Sequence, residues 1–205
     1  VLSMGNSIIE IKDIWDAWFR FRQGKKYTNE LHYFQYYLER NIASLYGAIV
    51  DGTYRHGSYR HFIVQENKKR TISVSSLLDR VVHRLVYDYL VRVFDHTFIY
   101  DVWSCRKEKG LFAGIARTYK LLRSNSNSFV WRMDITKFFD HIDHLVLMHC
   151  VGRRVKDSQW FWLICEIIKS YSSGHSSNND ERRCGIPIGN LTSQIFANIY
   201  LNELD

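Results

Sequence analysis

Residues 128–140 read Ser-Phe-Val-Trp-Arg-Met-Asp-Ile-Thr-Lys-Phe-Phe-Asp. The run Phe129 to Met133 is apolar and β-prone, with Arg132 its one charge, which predicts a strand packed inside a sheet. Such a strand delivers Asp134 to its carboxyl end, where two aromatics and a second carboxylate, Asp140, follow. A strand end suits a carboxylate that must bind a metal: the ladder fixes the backbone, and the side chain projects into the cleft beyond the sheet. Asp is also a common cap of turns and helices, so this stretch by itself leaves both roles open.

The rest of the chain narrows the choice. Its 205 residues suffice for one domain or two small ones with a sizeable core, and 46% hydrophobic content argues against wholesale disorder. A net charge of +7 points towards a polyanionic partner, most often nucleic acid. The four cysteines, Cys105, Cys150, Cys165 and Cys184, include no close pair. That spacing gives neither a metal knuckle nor a dense disulfide framework, so reduced thiols in a cytosolic protein are expected. Val1 to Glu10 lacks the basic and long apolar regions of a signal peptide, and no apolar run approaches the length of a membrane span.

Upstream of the central stretch, Ile8 to Arg22 carries apolar residues at helical spacing and is followed by the basic cluster Arg20, Arg22, Lys25 and Lys26. Leu31, Phe34, Leu38, Ile42, Leu45 and Ile49 step by three and four, predicting a second amphipathic helix. Tyr59 to Gln65 and Arg70 to Ser75 read as two strands joined by Glu66-Asn67-Lys68-Lys69, a hairpin with a basic tip. Ser76 to Phe94 is a long helix with two apolar rows and with Arg80 and Arg84 on one polar face; Asp88 is placed to pair with Arg84 or Arg92. The basic loop Trp103 to Gly110 leads into a helix ending near Leu122, and 123–128 is a polar connector.

Downstream, helices are expected over Asp143 to Gly152 and Ser158 to Tyr171, then a polar loop from Ser172 to Arg183. The final segment opens with Gly185-Ile-Pro-Ile-Gly-Asn-Leu-Thr-Ser-Gln, a glycine-bracketed turn around Pro187, the only proline, leading into a helix. Without a Cβ, Gly185 and Gly189 allow backbone to approach a ligand closely. His141 and His144 lie three apart with no third ligand type nearby, so they read as solvent-facing histidines rather than a zinc centre.

Three blocks stand in a fixed order: a basic hairpin with Lys69-Arg70 and then Asp79-Arg80, the Asp134–Asp140 block, and Gly185–Gln194 opening a helix. That order resembles the fingers and palm of bacterial retroelement reverse transcriptases, from about Trp15 to Asp205. Within that family, Ile188-Gly189 and Ser193-Gln194 resemble the enzymes of diversity-generating retroelements, as do Tyr54 to Arg60 and Cys105 to Gly110. Intron-encoded enzymes carry glutamine before the second glycine and Ser-Pro after it.

The resemblance implies an α/β (α+β) right-hand polymerase: helical and hairpin fingers over 1–125, then an incomplete palm over 126–205. It departs from the family in lacking the later Tyr-x-Asp-Asp hairpin and the thumb, and no Asp-Asp pair occurs in the chain. The chain is therefore expected to be the N-terminal part of a longer polymerase, inactive alone. By resemblance, Asp134 is the first of three catalytic aspartates, binding Mg2+ together with the Ile135 carbonyl. Phe139 is the steric gate against a ribose 2′-hydroxyl, and Asp140 makes a local structural contact.

Lys69, Arg70 and Arg80 are candidates for the incoming triphosphate, since arginine bonds phosphate bidentately and lysine supplies a point charge. Ile188 and Gly189 are placed at the nucleotide. Arg106, Lys107, Gly185, Pro187, Asn190, Ser193 and Gln194 are placed at template and primer. The implied partners are a template RNA, a DNA primer, deoxynucleoside triphosphates and a small accessory protein. Intron, retron or CRISPR-associated reverse transcriptases, and a non-catalytic nucleic-acid-binding module, are the alternative readings.

Overall fold

The computed structural model describes residues 8–65, 69–174 and 183–205. Three helices come first: α1 (Ile11–Arg22), α2 (Asn29–Tyr36) and α3 (Leu38–Val50). A hairpin of β1 (Arg60–Gln65) and β2 (Lys69–Val74) follows, then α4 (Leu77–Phe94) and α5 (Leu111–Ser124). The chain continues through α6 (His144–Gly152), α7 (Ser158–Lys169) and α8 (Leu191–Leu201).

Local chemistry starts most of these helices. Glu10 and Asp13 form a capping box at α1. The Thr28 hydroxyl accepts the Leu31 N–H at α2, and the Ser76 hydroxyl accepts the Asp79 N–H at α4. Asp143 and Asp157 each accept two backbone N–H groups at the starts of α6 and α7. The single helix expected from Leu31 to Ile49 is broken at Tyr37, whose φ of −105° and ψ of 29° leave the helical region. There the Asn41 side-chain amide donates to the Phe34 carbonyl at 3.0 Å, supplying the partner that the interrupted ladder lacks.

Helix α4 is the centre of the molecule. Its two apolar rows are buried apart from half-buried Leu78 and Tyr89, because α1 covers one side while α7 and α8 cover the other. Trp18 of α1 stacks on Phe34 at 4.9 Å, and Trp160 of α7 lies flat on Tyr89 of α4 at 3.9 Å and 6°. One contiguous core runs from Ile9 to Ile199 and draws residues from both sides of position 125. Asp88 pairs with Arg84 at 3.0 Å and also with Arg20 of α1 at 3.0 Å, an inter-helix contact that spacing along α4 does not reveal.

The hairpin is antiparallel, with Arg60 opposite Val74 and Gln65 opposite Lys69; of the turn expected over Glu66 to Lys69, Lys69 instead opens β2 and the other three residues lie outside the described residues. It is the one sheet among the described residues. The buried strand expected over Phe129 to Met133 is therefore not formed. Phe129 is fully exposed, Trp131 is 83% exposed, and the segment is irregular up to the turn at Lys137. A strand takes its stability from ladder partners and from burial on a packed face, and no described segment lies alongside this one to supply either. Helix α5 shares that condition: it buries none of its residues. No helix among the described residues is long and apolar enough to cross a membrane.

Candidate functional site

A cleft of about 510 Å³ opens between α1, α4 and the start of α8. Among the described residues its walls carry four cations, Arg20, Lys25, Arg80 and Arg84, of which Arg20 and Arg84 pair with Asp88 and Arg80 with Glu30, both outside the lining. Seven residues singled out in the sequence line it together: Arg80, Phe139, Ile188, Gly189, Asn190, Ser193 and Gln194. They come from three separate segments, the outer two, Arg80 and Ile188 to Gln194, more than a hundred residues apart. Such a set can hold an anion, with an aromatic ring and an apolar side chain beside it.

The wall at 185–194 is fixed by bonds to distant elements. The Ser73 N–H of β2 donates to the Ile188 carbonyl at 2.9 Å, and the Asn190 side chain donates to the Ser73 carbonyl at 2.8 Å. Gly189, at φ +111°, brings this loop so close to β2 that a Cβ would meet Ile72 Cγ2 at 2.6 Å. Gly185, at φ +101°, sits as tightly against Ser173, with 2.6 Å to its Cβ. The room left by both missing side chains is thus occupied by the protein's own residues. Their left-handed backbone serves the packing of the loop rather than an open approach to a ligand. The Ser193 hydroxyl donates to the Pro187 carbonyl at 2.6 Å, closing the turn onto α8.

Phe139 reaches the cleft through a short 3-10 turn that starts at Lys137, whose φ of +51° is left-handed for a residue with a Cβ. Phe138 turns the other way and packs edge-on against Tyr200 at 6.1 Å. Asp134 and Ile135 precede this turn and do not line the cleft. Both are exposed, and the Asp134 carboxylate meets no hydrogen-bond or ion-pair partner among the described residues. Asp134 and the Ile135 carbonyl are hard oxygen donors of the kind magnesium takes, in ones and twos, beside substrate phosphates. Among the described residues no group of three His, Cys, Asp or Glu side chains converges, so they fit as part of a metal site only.

Lys69 and Arg70 lie on β2, exposed and without an ion-pair partner among the described residues. Arg70 is three residues, or roughly 10 Å of strand, upstream of the Ser73 contact. Arg80 is held by Glu30 of α2 at 2.9 Å and lies over the Phe21 ring at 5.8 Å. Arg106 directs its guanidinium to Asp95 at 2.8 Å and to the Ile99 carbonyl at 2.9 Å, tying down the loop in which Lys107 stays exposed.

Behind the cleft wall lies a polar cluster that the sequence did not disclose. Asp79, buried, accepts from the Tyr54 hydroxyl at 2.8 Å, the Gly57 N–H at 3.2 Å and the Ser76 hydroxyl at 2.7 Å. That environment drives the Tyr54 hydroxyl far above its ordinary range, by burial first and the Asp79 charge second. His83, only 1% exposed, is lowered to about 3 by burial and then by neighbouring His56. His144 is buried too, against the solvent-facing placement expected for it; its Nε2–H donates to the Gly185 carbonyl at 2.7 Å, and burial lowers its pKa. The Arg80–His83–Arg84 spacing on α4 was the one available signal for His83.

The His83 shift has a sign that can be tested. An unfolded histidine takes up its proton near pH 6.5, whereas His83 in the fold resists it down to about 3. Stability is therefore complete above pH 6.5 and falls as the pH drops towards 3, by up to about 1.4 kcal/mol per pH unit. Urea unfolding at pH 6.5 and 5.0 should show His83→Gln losing less stability over that interval than the parent, by on the order of 1–2 kcal/mol. Equal losses would place the acid sensitivity in other groups.

The sequence profile of the family described as "Reverse transcriptase (RNA-dependent DNA polymerase)" matches residues 56–205. Protein YkfC of Escherichia coli (strain K12) is 29% identical over 153 residues, 71% of this chain and 39% of that protein. The group II intron-encoded protein LtrA of Lactococcus lactis subsp. cremoris is 27% identical over 172 residues, 82% of this chain and 28% of that protein. The chain thus spans between 28% and 39% of the length of these two relatives. Among solved structures, a chain of a partial Cas6-RT-Cas1–Cas2 complex is similar at a TM-score of 0.47 and 16% identity, covering 96% of this chain and 33% of that one.

Proposed function

The chain belongs to the reverse transcriptase family, and on that footing we propose that it supplies the fingers and part of the palm of a polymerase that copies RNA into DNA. The observation that carries this reading is the basic cleft in which Arg80, Phe139, Ile188, Gly189, Asn190, Ser193 and Gln194 meet. Arg80, with Lys69 and Arg70 from the hairpin, binds the triphosphate. The Phe139 ring closes the space that a ribose 2′-hydroxyl would need. The Gly185–Gln194 wall lies along the template–primer pair, and exposed Lys107 contacts the template backbone. Arg106, committed to Asp95, holds that loop in place. Asp134 and the Ile135 carbonyl would hold magnesium, which when bound neutralises charge on the transferred phosphate.

The experiment is primer extension. Residues 1–205 alone should extend no primer on any template, while the polymerase with its full palm and thumb should do so on RNA. The chain alone should still bind single-stranded nucleic acid weakly and without sequence preference. For roughly four phosphate contacts the log–log salt slope should lie near about −3. A salt-independent affinity would contradict the electrostatic account, and extension by 1–205 would contradict the incomplete palm.

Two finer readings divide the family. Ile188 in place of glutamine, with Ser193-Gln194, supports a diversity-generating retroelement whose polymerase errs at template adenines and works with a small accessory protein in the cytoplasm. The likeness to LtrA supports an intron-encoded polymerase instead. In the first reading, isoleucine supplies shape where an amide would hydrogen-bond and help fix the template. One such bond is worth about 0.5–1.5 kcal/mol net, or roughly a two- to tenfold change in discrimination. Ile188→Gln should then lower misincorporation opposite adenine more than opposite the other bases, measured by single-nucleotide incorporation on four templates. An equal change on all four favours the intron reading, with Ile188 packing the loop.

A further inference from the structure

We propose that His83 is a positioning residue: it locks the first turn of α8, and with it the cleft wall, through a directed hydrogen-bond chain running from Thr192 through His83 to His56. The chain is read from distances. His56 Nδ1 lies 2.6 Å from the Gly57 carbonyl, which only accepts, so that nitrogen carries a proton. In a neutral ring His56 Nε2 is then the acceptor, and His83 Nε2, 3.1 Å away, donates to it. His83 Nδ1 is left as an acceptor for the Thr192 hydroxyl at 2.7 Å. Every ring nitrogen in the chain has one partner and one role.

The helix needs this tie because its own cap is employed elsewhere. Asn190 occupies the N-cap of α8 but makes no side-chain cap bond. Its amide is turned outwards instead, accepting from the Ser75 hydroxyl at 3.0 Å and donating to the Ser73 carbonyl at 2.8 Å. The first turn of α8 is thus held by tertiary bonds, with Asn190 anchored at β2 and Thr192 anchored at α4. Thr192 is buried, while its neighbours Leu191, Ser193 and Gln194 line the cleft. The far end of the chain is firm as well: His56 stacks on Tyr59 at 4.7 Å, and the Tyr59 hydroxyl bonds Ser170 at 2.7 Å.

Imidazole suits the task because its two nitrogens diverge and can serve two different elements at once. A charged ring would reverse or break the chain, since both nitrogens would donate. Burial first and His56, facing it from the loop, second keep His83 neutral; Arg80 and Arg84 lie near it on α4, and Thr192 faces it from α8 without charge. The carboxylate one turn earlier, Asp79, is engaged by Tyr54, Gly57 and Ser76.

The test uses the 1–205 chain and compares Thr192→Val, which removes the hydroxyl at nearly constant volume, with Thr192→Ser, which keeps it. Imidazole 15N spectra at pH 7 should show His83 neutral with its proton on Nε2. Its Nδ1 signal should shift in Thr192→Val and be restored in Thr192→Ser. Amide exchange at 192–195 should accelerate about two- to tenfold in Thr192→Val, with α7 unchanged. A proton on Nδ1, a charged ring, unchanged exchange, or equal acceleration in α7 and α8 would each overturn the proposal. That the positioned wall serves a nucleotide rests on the polymerase reading, which fails separately: no binding of a single-stranded oligonucleotide by the parent chain would sink that reading and leave the spectra standing.

Discussion

Trp160→Ala is expected to destabilise the protein by about 3–5 kcal/mol, the largest loss for any single truncation discussed. Trp160 is fully buried on α7, and its indole lies parallel to the Tyr89 ring of α4. Truncation removes that stack and leaves a cavity between α7, which packs on α6, and α4, which packs on α1 and α8, so little can collapse into it. For a chain of this size, about 2–4 °C per kcal/mol converts the loss to a melting temperature lower by roughly 6–20 °C. Trp160→Phe keeps an aromatic surface against Tyr89 and should lose less. Phe112→Ala is the contrasting control: Phe112 is 84% exposed on α5, and its removal should cost within about 0.5 kcal/mol. Similar losses for Trp160→Ala and Phe112→Ala in thermal and urea unfolding would refute the packing described.

Asp134→Ala, in the polymerase carrying its full palm, is expected to lose RNA-templated primer extension by on the order of a thousandfold. Charge neutralisation by a divalent ion contributes several kcal/mol to transition-state stability in phosphoryl transfer, and each 1.36 kcal/mol is a factor of ten. In the proposed reading Asp134 is the carboxylate that this segment would offer to such an ion. Its exposure separates chemistry from folding: with no partner among the described residues, its truncation should move stability by no more than about 0.5 kcal/mol. Nucleic-acid affinity, which in the proposed reading comes from the chain's cations rather than from this carboxylate, should stay near the parent value. Full extension by Asp134→Ala would place the metal elsewhere, and loss of extension together with loss of binding would point to a structural role.

The helix starts were legible in the sequence because their signals lie within a few residues. Helices were expected from Ser76, Asp143 and Ser158, and Ser76, Asp143 and Asp157 cap them in the fold, whereas the Thr28 cap starts α2 two residues before Leu31, where the helical period was read. The hairpin followed from β-prone runs around a polar turn: the strands expected over Tyr59 to Gln65 and Arg70 to Ser75 form over Arg60–Gln65 and Lys69–Val74. The order of the Lys69-Arg70, Asp134–Asp140 and Gly185–Gln194 blocks pointed to the family that the profile match then showed.

The tertiary structure alone decided the rest. Phe129 to Met133 has the composition of a strand, yet a strand exists only beside another, and that partner is not a property of the five residues. Tyr37 interrupts an unbroken apolar period because Asn41 captures the Phe34 carbonyl. Gly185 and Gly189 were legible as places that need no Cβ, but only the fold shows that Ser173 and Ile72 occupy the space. The chain through His83 joins residues 27 and 109 positions away, and Ser73 meets Ile188 across more than a hundred. Caps and periodicity are local, so the sequence carries them openly; which buried donor meets which acceptor is settled only when the core closes and water is excluded from both.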